Sequence, residues 1–189
     1  MKLLVLDKDG TLTRTKSGHT FVQHPEDQVL IDGVAEAIAA YTADGWTMAI
    51  ASNQGGVAAG HKTLEQAIAE MQYAIKLTGI CIGMFCPDDG QSAYLVDFLS
   101  SCKYSDAYPK YIGTFRKPQG GMLNALRYSR NASLQDIVRT SKGLELLPAS
   151  EGDRYRYLMV SDRDEDFGAA VNAGFGYMHV STWLEPFVK

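Results

Sequence analysis

Cysteine is scarce in this 189-residue chain, and the three present, Cys81, Cys86 and Cys102, have no paired spacing of the Cys-x-x-Cys kind. Such an odd set argues against a disulfide framework and against a complete zinc finger, and it suits a reducing compartment. Excess basic charge is missing too. The formal net charge of -4 gives no general attraction to polyanions, so nucleic-acid binding would need a local basic patch. No apolar run approaches membrane-spanning length, and one lysine with four apolar residues before Asp7 is too short for a signal-peptide core. A cytoplasmic protein with no membrane partner is expected. Internal repeats, linkers and low-complexity tracts are absent, while 46% hydrophobic and 21% charged residues are ordinary globular values. The length then implies one domain over residues 1–189.

What is present is organised around Asp7-Lys8-Asp9-Gly10-Thr11-Leu12, directly after the apolar run Leu3-Leu4-Val5-Leu6. In an extended segment residues i and i+2 share a side, so Asp7 and Asp9 can face a common centre while Lys8 points away. Two carboxylates suit a hard divalent cation such as Mg²⁺, which takes oxygen ligands and commonly shares its shell with a substrate phosphate. Gly10 permits a sharp turn, and Thr11 adds a hydroxyl and an N–H nearby. Taken alone, the hexapeptide also reads as an Asp-Gly turn after an edge strand.

Further along, Thr13 to Pro25 reads as a loop. Asp32 can cap a helix with a stripe of Val34, Ile38 and Tyr41, and Gly45 ends it. Trp46 to Ala51 is a strand that runs into Ser52-Asn53-Gln54-Gly55-Gly56. The spacing of Leu64, Ile68, Met71 and Ile75 predicts an amphipathic helix over His61 to Thr78, and Ile80 to Phe85 is the next strand. Only Ala93 to Leu99 looks helical in the long segment that follows. Arg116-Lys117-Pro118 precedes a helix with Met122, Leu123 and Leu126 inward; Ser133 can cap another through Arg139, and Lys142 to Asp153 reads as a surface insertion. Tyr155 to Val160 is a strand entering Ser161-Asp162-Arg163-Asp164-Glu165-Asp166. The helix after it buries Phe167, Ala170 and Val171, Tyr177 to Val180 is a last strand, and Trp183, Leu184 and Phe187 pack back. Such alternation predicts a three-layer α/β, Rossmann-like parallel sheet with helices on both faces.

In that architecture ligands bind beyond the carboxyl ends of the strands, where Asp7/Asp9, Ser52/Asn53 and Asp162/Asp166 all fall. Singly, each has a plainer use: Ser52-Asn53 as a helix cap, Lys117 as a surface lysine, and the acidic run as a solvated helix start. Together, Asp7-x-Asp9-Gly-Thr11, Ser52, Lys117 and Asp162-x-x-x-Asp166 resemble the four motifs of the haloacid dehalogenase (HAD) superfamily of phosphatases. Ser52-Asn53-Gln54-x-Gly56 and Arg116-Lys117-Pro118-x-x-Gly121-Met122 are similar to the branch with histidinol-phosphate phosphatase, heptose bisphosphate phosphatase and the phosphatase half of polynucleotide kinase/phosphatase.

The resemblance implies Asp7 as nucleophile, forming an aspartyl-phosphate, and Asp9 as the acid that protonates the leaving oxygen and then the base for water. It implies Mg²⁺ held by Asp7, the Asp9 carbonyl and Asp162, and phosphoryl oxygens held by Ser52, Lys117 and N–H groups around Asn53. Thr11 and Arg116 would support the site, and Asp166 would bind the metal through water or hold Lys117. No large cap domain is expected, because the first two motifs are close together.

Zinc-containing members of that branch carry a Cys-x-His and Cys-x-Cys loop. The matching places here are Cys86, Asp88, Gly113 and Phe115, so no structural zinc is expected. Thr13-Arg14-Thr15-Lys16-Ser17-Gly18-x-x-Phe21 is instead similar to the polynucleotide phosphatase. Arg14, Lys16, Arg116 and Lys117 could form a small basic patch, which makes a 3′-phosphorylated nucleic acid end the leading substrate expectation. A small metabolite such as heptose bisphosphate or histidinol phosphate, and an idle phosphate-binding module, are the alternatives. The sequence is silent on oligomeric state.

Overall fold

A computed structural model describes residues 2–131, 137–140, 143–146 and 156–188. Among them a seven-stranded sheet runs in the order β11-β10-β1-β4-β5-β6-β7. Its parallel part comprises β1 (Lys2–Leu6), β4 (Trp46–Asn53), β5 (Ile82–Cys86), β10 (Tyr157–Ser161) and β11 (Gly176–His179). β6 (Tyr94–Asp97) and β7 (Ser101–Lys103) extend one edge antiparallel. The helices are α1 (Val34–Ala43), α2 (Leu64–Thr78), the single turn α3 (Tyr104–Ala107), α4 (Gly121–Asn131), α5 (Asp164–Ala173) and α6 (Val180–Leu184).

Central strands are buried on both sides, so their sequence is continuously apolar while alternate residues feed different cores. Leu3 and Val5 join Met122, Leu123 and Leu126 of α4 and Ala169 and Ala170 of α5; Leu4 and Leu6 join Val34, Met71, Ile75 and Trp183 on the opposite face. Each such large side chain contributes about 1.5–3 kcal/mol on burial.

Several local expectations change. Ala93 to Leu99 is not helical: Tyr94–Asp97 pairs antiparallel with β5, leaving Phe85 and Tyr94 rings stacked at 5.5 Å. Thr13 to Pro25 is not all loop, because β2 (Thr13–Thr15) pairs with β3 (Gln28–Leu30) to make a flap after the first motif. Asp32 does not cap α1; Gly33, in the left-handed region at φ +85°, does so without a side-chain bond. α2 begins at Leu64, not His61, because Thr63 and Gln66 form a reciprocal capping box. In α5 Phe167 and Val171 face water, at 53% and 60% exposure, while Asp166, Ala169, Ala170 and Ala173 face inward. An inward aspartate shifts the stripe by one position from the apolar pattern. Ile137–Thr140 is a strand, β8, paired with β9 (Gly143–Leu146), instead of the end of a helix. Ser133, Lys142 and residues 147–153 lie outside the described residues.

Candidate active site

Strand register brings the first, second and fourth motifs level. Leu6 pairs with Ile50 on one side and Val160 on the other, and Asp7 N–H donates to the Val160 carbonyl at 3.0 Å. Asp7 therefore stands at the carboxyl edge beside Ala51 and Ser161. Lys117 enters from the turn before α4 and is almost wholly buried. Its Nζ donates to Asp7 Oδ1 at 2.6 Å and to the Ala51 carbonyl at 3.1 Å, and it pairs with Asp166 Oδ1. These contacts engage all three donors of the ammonium. Of the two uses open for Asp166, the geometry has the carboxylate on Lys117.

α5 reaches that position because Gly168 lies against Pro118, where a Cβ would come within 2.8 Å of the proline ring. Asn53 ties the other side: its Nδ2 donates to the Lys117 carbonyl and its Oδ1 accepts from the Lys117 N–H, both at 3.0 Å.

Burial pushes the Asp7 carboxyl up to about 7; Lys117 opposes the rise and Asp166 adds to it. Burial works against the Lys117 charge, but Asp7 and Asp166 outweigh it and raise the ammonium above its usual range. Partial burial would raise Asp9, yet the Lys8 charge and hydrogen bond, the Gln54 N–H and the Lys62 charge together hold it below the usual carboxylate range.

Lys8 does not point away, as strand alternation suggested. Its chain is buried and its ammonium curls back to Asp9 Oδ1 and to Gln28 Oε1, at 3.2 Å for the latter. The strand ends at Leu6, so two-residue alternation no longer governs the turn. Ser52 is buried, and its hydroxyl accepts from Gln54 Nε2 at 2.8 Å. Gln54 also donates to Asp9 Oδ2 at 3.1 Å. The Ser-Asn-Gln run was the signal for this role, although only its first two residues were singled out.

Asp162 stands over the turn of Gly10, whose φ of +88° and lack of Cβ leave room for the carboxylate. Thr11 Oγ1 donates to Asp162 Oδ1 at 3.5 Å, linking the first and fourth motifs. Among the described residues only long contacts hold Asp162, at 3.5 Å from Thr11 and 3.9 Å from Arg163, so its oxygens keep lone pairs for another partner. Carboxylate and carbonyl oxygens form a hard donor set that fits Mg²⁺ and not a thiophilic metal. Among the described residues no group of three or more His, Cys, Asp and Glu side chains is placed to hold a metal, so backbone or substrate oxygens would have to complete a shell.

Three of the four residues expected to form a basic patch have other surroundings. Lys117 is buried between carboxylates, and Arg116 turns its Nη1 to the Asp88 carbonyl at 3.1 Å. Arg14 instead lines a cavity of about 710 Å³ with Ile31, Asp32 and Glu185, apart from Asp7. At the places corresponding to a zinc loop, Asp88 accepts the N–H groups of Gly90 and Ser92 at 2.9 and 3.0 Å, while the Gly90 carbonyl accepts from Gly113 at 2.9 Å. Phe115 packs in the core between Tyr104 and Tyr111.

With this geometry the comparison with known proteins is specific. The family model described as polynucleotide kinase 3 phosphatase matches residues 2–145. The chain belongs to this family, within the HAD superfamily, and is a phosphatase. Among similar sequences, the D-glycero-beta-D-manno-heptose-1,7-bisphosphate 7-phosphatase of Pseudomonas putida is 31% identical, over 76% of this chain and 74% of that protein. The D-glycero-D-manno-heptose-1,7-bisphosphate 7-phosphatase of Thermosynechococcus vestitus is 28% identical, over 93% and 85%. A crystal structure of D,D-heptose 1,7-bisphosphate phosphatase from B. bronchiseptica, complexed with magnesium and phosphate, superposes with a TM-score of 0.56 at 23% identity, covering 94% of this chain and 79% of that one. That likeness shows the HAD fold of this family member.

Proposed function

We propose that this phosphatase is a Mg²⁺-dependent phosphomonoesterase acting on a small phosphorylated sugar of the heptose bisphosphate class through an aspartyl-phosphate on Asp7. The observation that carries the chemistry is the buried Lys117 ammonium held between Asp7 and Asp166 at the carboxyl edge of the sheet. It fixes the Asp7 carboxylate and compensates its charge, so that the free oxygen can attack phosphorus. A phosphoryl oxygen that reached Lys117 would have to displace one of its present acceptors, and Asp7 Oδ1 is the one nearest the reaction.

Asp9 is held ionised by Lys8 and Gln54, ready to accept a proton from water in the second half-reaction. The proton it takes from water is the one it gives to the leaving oxygen in the first half-reaction of the next turnover, when the anionic phosphate beside it favours the protonated carboxyl. Ser52 and the backbone N–H groups after β4 would hold phosphoryl oxygens. Asp7, the Asp9 carbonyl and Asp162 would hold Mg²⁺, with Thr11 orienting Asp162. When bound, the ion would offset repulsion between the carboxylate and the phosphate.

The sugar-phosphate class is supported by the heptose bisphosphate phosphatases among similar sequences and by the dispersal of Arg14, Arg116 and Lys117. One observation favours a second reading, a 3′-phosphorylated nucleic acid end: Phe21, in the flap, is 76% exposed, and an exposed ring can stack on a base. Phosphate release with Mg²⁺ from heptose bisphosphate, histidinol phosphate and a 3′-phosphorylated oligonucleotide, with Asp7→Asn as control, decides between them. Preference for heptose bisphosphate is the expected result. Preference for the oligonucleotide, lost in Phe21→Ala, would overturn it.

A further inference from the structure

Behind Asp9 lies a closed circuit of polar groups. Lys8 Nζ donates to Asp9 Oδ1 and to Gln28 Oε1, and Gln28 Nε2 donates to the backbone carbonyl of Glu70 at 3.0 Å. Glu70 Oε2 accepts from Lys62 Nζ at 2.6 Å, Lys62 also donates to Gln54 Oε1 at 3.2 Å, and Gln54 Nε2 returns to Asp9 Oδ2. Ammonium groups only donate and carboxylates only accept, so both glutamine amides have one allowed orientation and every bond has a fixed direction. The two ammonium and two carboxylate charges balance.

Most of the circuit is dry. Lys8, Gln28, Gln54 and Glu70 are buried, the Lys62 side chain is 17% exposed, and the Asp9 side chain, at 40%, is where the circuit meets water. Glu70 sits on the inward face of α2 between Ala67, Met71 and Ala74, where an apolar residue would pack without the desolvation that a buried carboxylate suffers. A buried ion pair is weak evidence for stability, so the pair calls for another reason. The bonds supply it. Each oxygen of Asp9 is gripped from a different element: one through Lys8 and the flap root at Gln28, the other through Gln54, which Lys62 and Glu70 anchor to α2.

We infer that Lys62 and Glu70 are positioning residues for Asp9, acting through Gln54 to keep the carboxyl group where it can protonate the leaving oxygen. The inference rests on Asp9 being the acid of the reading above. In that step the bond from an Asp7 oxygen to phosphorus forms as the bond from phosphorus to the leaving oxygen breaks. The Asp9 proton moves to the leaving oxygen, and Asp9 is left as carboxylate. Neither Lys62 nor Glu70 touches the substrate. Their effect should therefore depend on how much the leaving group needs that proton.

The test uses kcat/KM with Mg²⁺ for two aryl phosphates: p-nitrophenyl phosphate, whose leaving group departs readily without a proton, and phenyl phosphate, whose leaving group does not. Lys62→Met and the double variant Lys62→Met/Glu70→Gln, which leaves no unpaired buried charge, are compared with wild type. Thermal melts in parallel show that each variant is folded. Phenyl phosphate turnover should fall roughly 10- to 100-fold, with p-nitrophenyl phosphate within about 2-fold, and Lys62→Arg should restore most of the loss. Equal loss on both substrates, no loss on either, or melted variants at assay temperature would overturn the positioning role. Wild type inert on both substrates would be a different failure, that of the phosphatase reading itself, and this inference would fall with it.

Discussion

The side-chain amide of Asn53 clasps the backbone of Lys117 in both directions, donating to its carbonyl and accepting from its N–H, each at 3.0 Å. By this tie the second motif sets where the third motif begins, and so where the Lys117 ammonium meets Asp7. Asn53→Ala removes both bonds and should lower stability by about 1–3 kcal/mol. It should also lower kcat by roughly 10- to 100-fold, because a small misplacement of Lys117 is felt at the reacting centre. Asn53→Asp keeps the acceptor, loses the donor and turns a charge toward Glu165, so it should be no better than alanine. Chemical unfolding and steady-state kinetics on the pair check this. A wild-type kcat in Asn53→Ala would show that Lys117 is placed by other contacts.

Burial of Asp7 works against the fold. Its native pKa of about 7 lies above the ordinary aspartate value of 3.8, so the native state binds more protons than the unfolded chain between those limits. Stability therefore falls as pH rises through that window, by the linkage of proton binding to folding. The penalty is absent below the unfolded pKa and complete above the folded one. Asp7→Asn should lose phosphatase activity and should melt higher than wild type in metal-free buffer at pH 8, by about 1–2 kcal/mol or roughly 2–8 °C. The gain should shrink toward pH 4. Added Mg²⁺ should narrow the gap by stabilising wild type more. A melting temperature for Asp7→Asn that is lower than wild type at pH 8 would mean that the Lys117 pair outweighs burial.

The parallel strands and the sheet edge that carries Asp7 were legible because buried strands are apolar runs and the motifs follow them at once. Leu3 to Leu6 and Trp46 to Ala51 needed no tertiary information. The flap and β6 were hidden for the opposite reason: Thr13–Thr15 and Tyr94–Asp97 are short, and each takes strand form by pairing with another segment, Gln28–Leu30 for the first and Ile82–Phe85 for the second. The α5 stripe was misread because Asp166 is buried for Lys117, a contact 49 positions away in sequence by the residue numbers. The polar circuit was the least visible part. Lys62, Glu70 and Gln28 look like ordinary surface residues in sequence, and only packing shows three elements converging on one carboxylate.

The three cysteines divide by environment. Cys81 and Cys102 are exposed, whereas Cys86 is buried at the end of β5 and burial pushes its thiol up to about 12. Only the thiolate reacts at a useful rate. A thiol reagent at pH 8 should therefore label Cys81 and Cys102 quickly and Cys86 only after unfolding, which mass spectrometry of the labelled peptides reads directly. Asp88 fastens this loop through the N–H groups of Gly90 and Ser92, so Asp88→Ala should speed labelling of Cys86. Rapid labelling of Cys86 in the native wild type would show that the loop opens freely.

Gly10 offers the sharpest separation between folding and metal binding. Its φ of +88° disfavours any side chain, and a Cβ would run into the Asp162 carboxylate. Gly10→Ala should therefore cost about 1 kcal/mol in backbone strain and push Asp162 away from the turn that carries Asp7 and Asp9. If Asp162 is a Mg²⁺ ligand, the concentration of Mg²⁺ needed for half-maximal phosphate release should rise about tenfold or more, since the donor set loses its arrangement. KM for substrate at saturating Mg²⁺ should move far less. Asp162→Asn should raise the Mg²⁺ requirement further, and combining the two should add little, because both act on the same ligand. Unchanged Mg²⁺ dependence in Gly10→Ala and in Asp162→Asn would remove Asp162 from the metal site and leave it as a partner of Thr11 and Arg163.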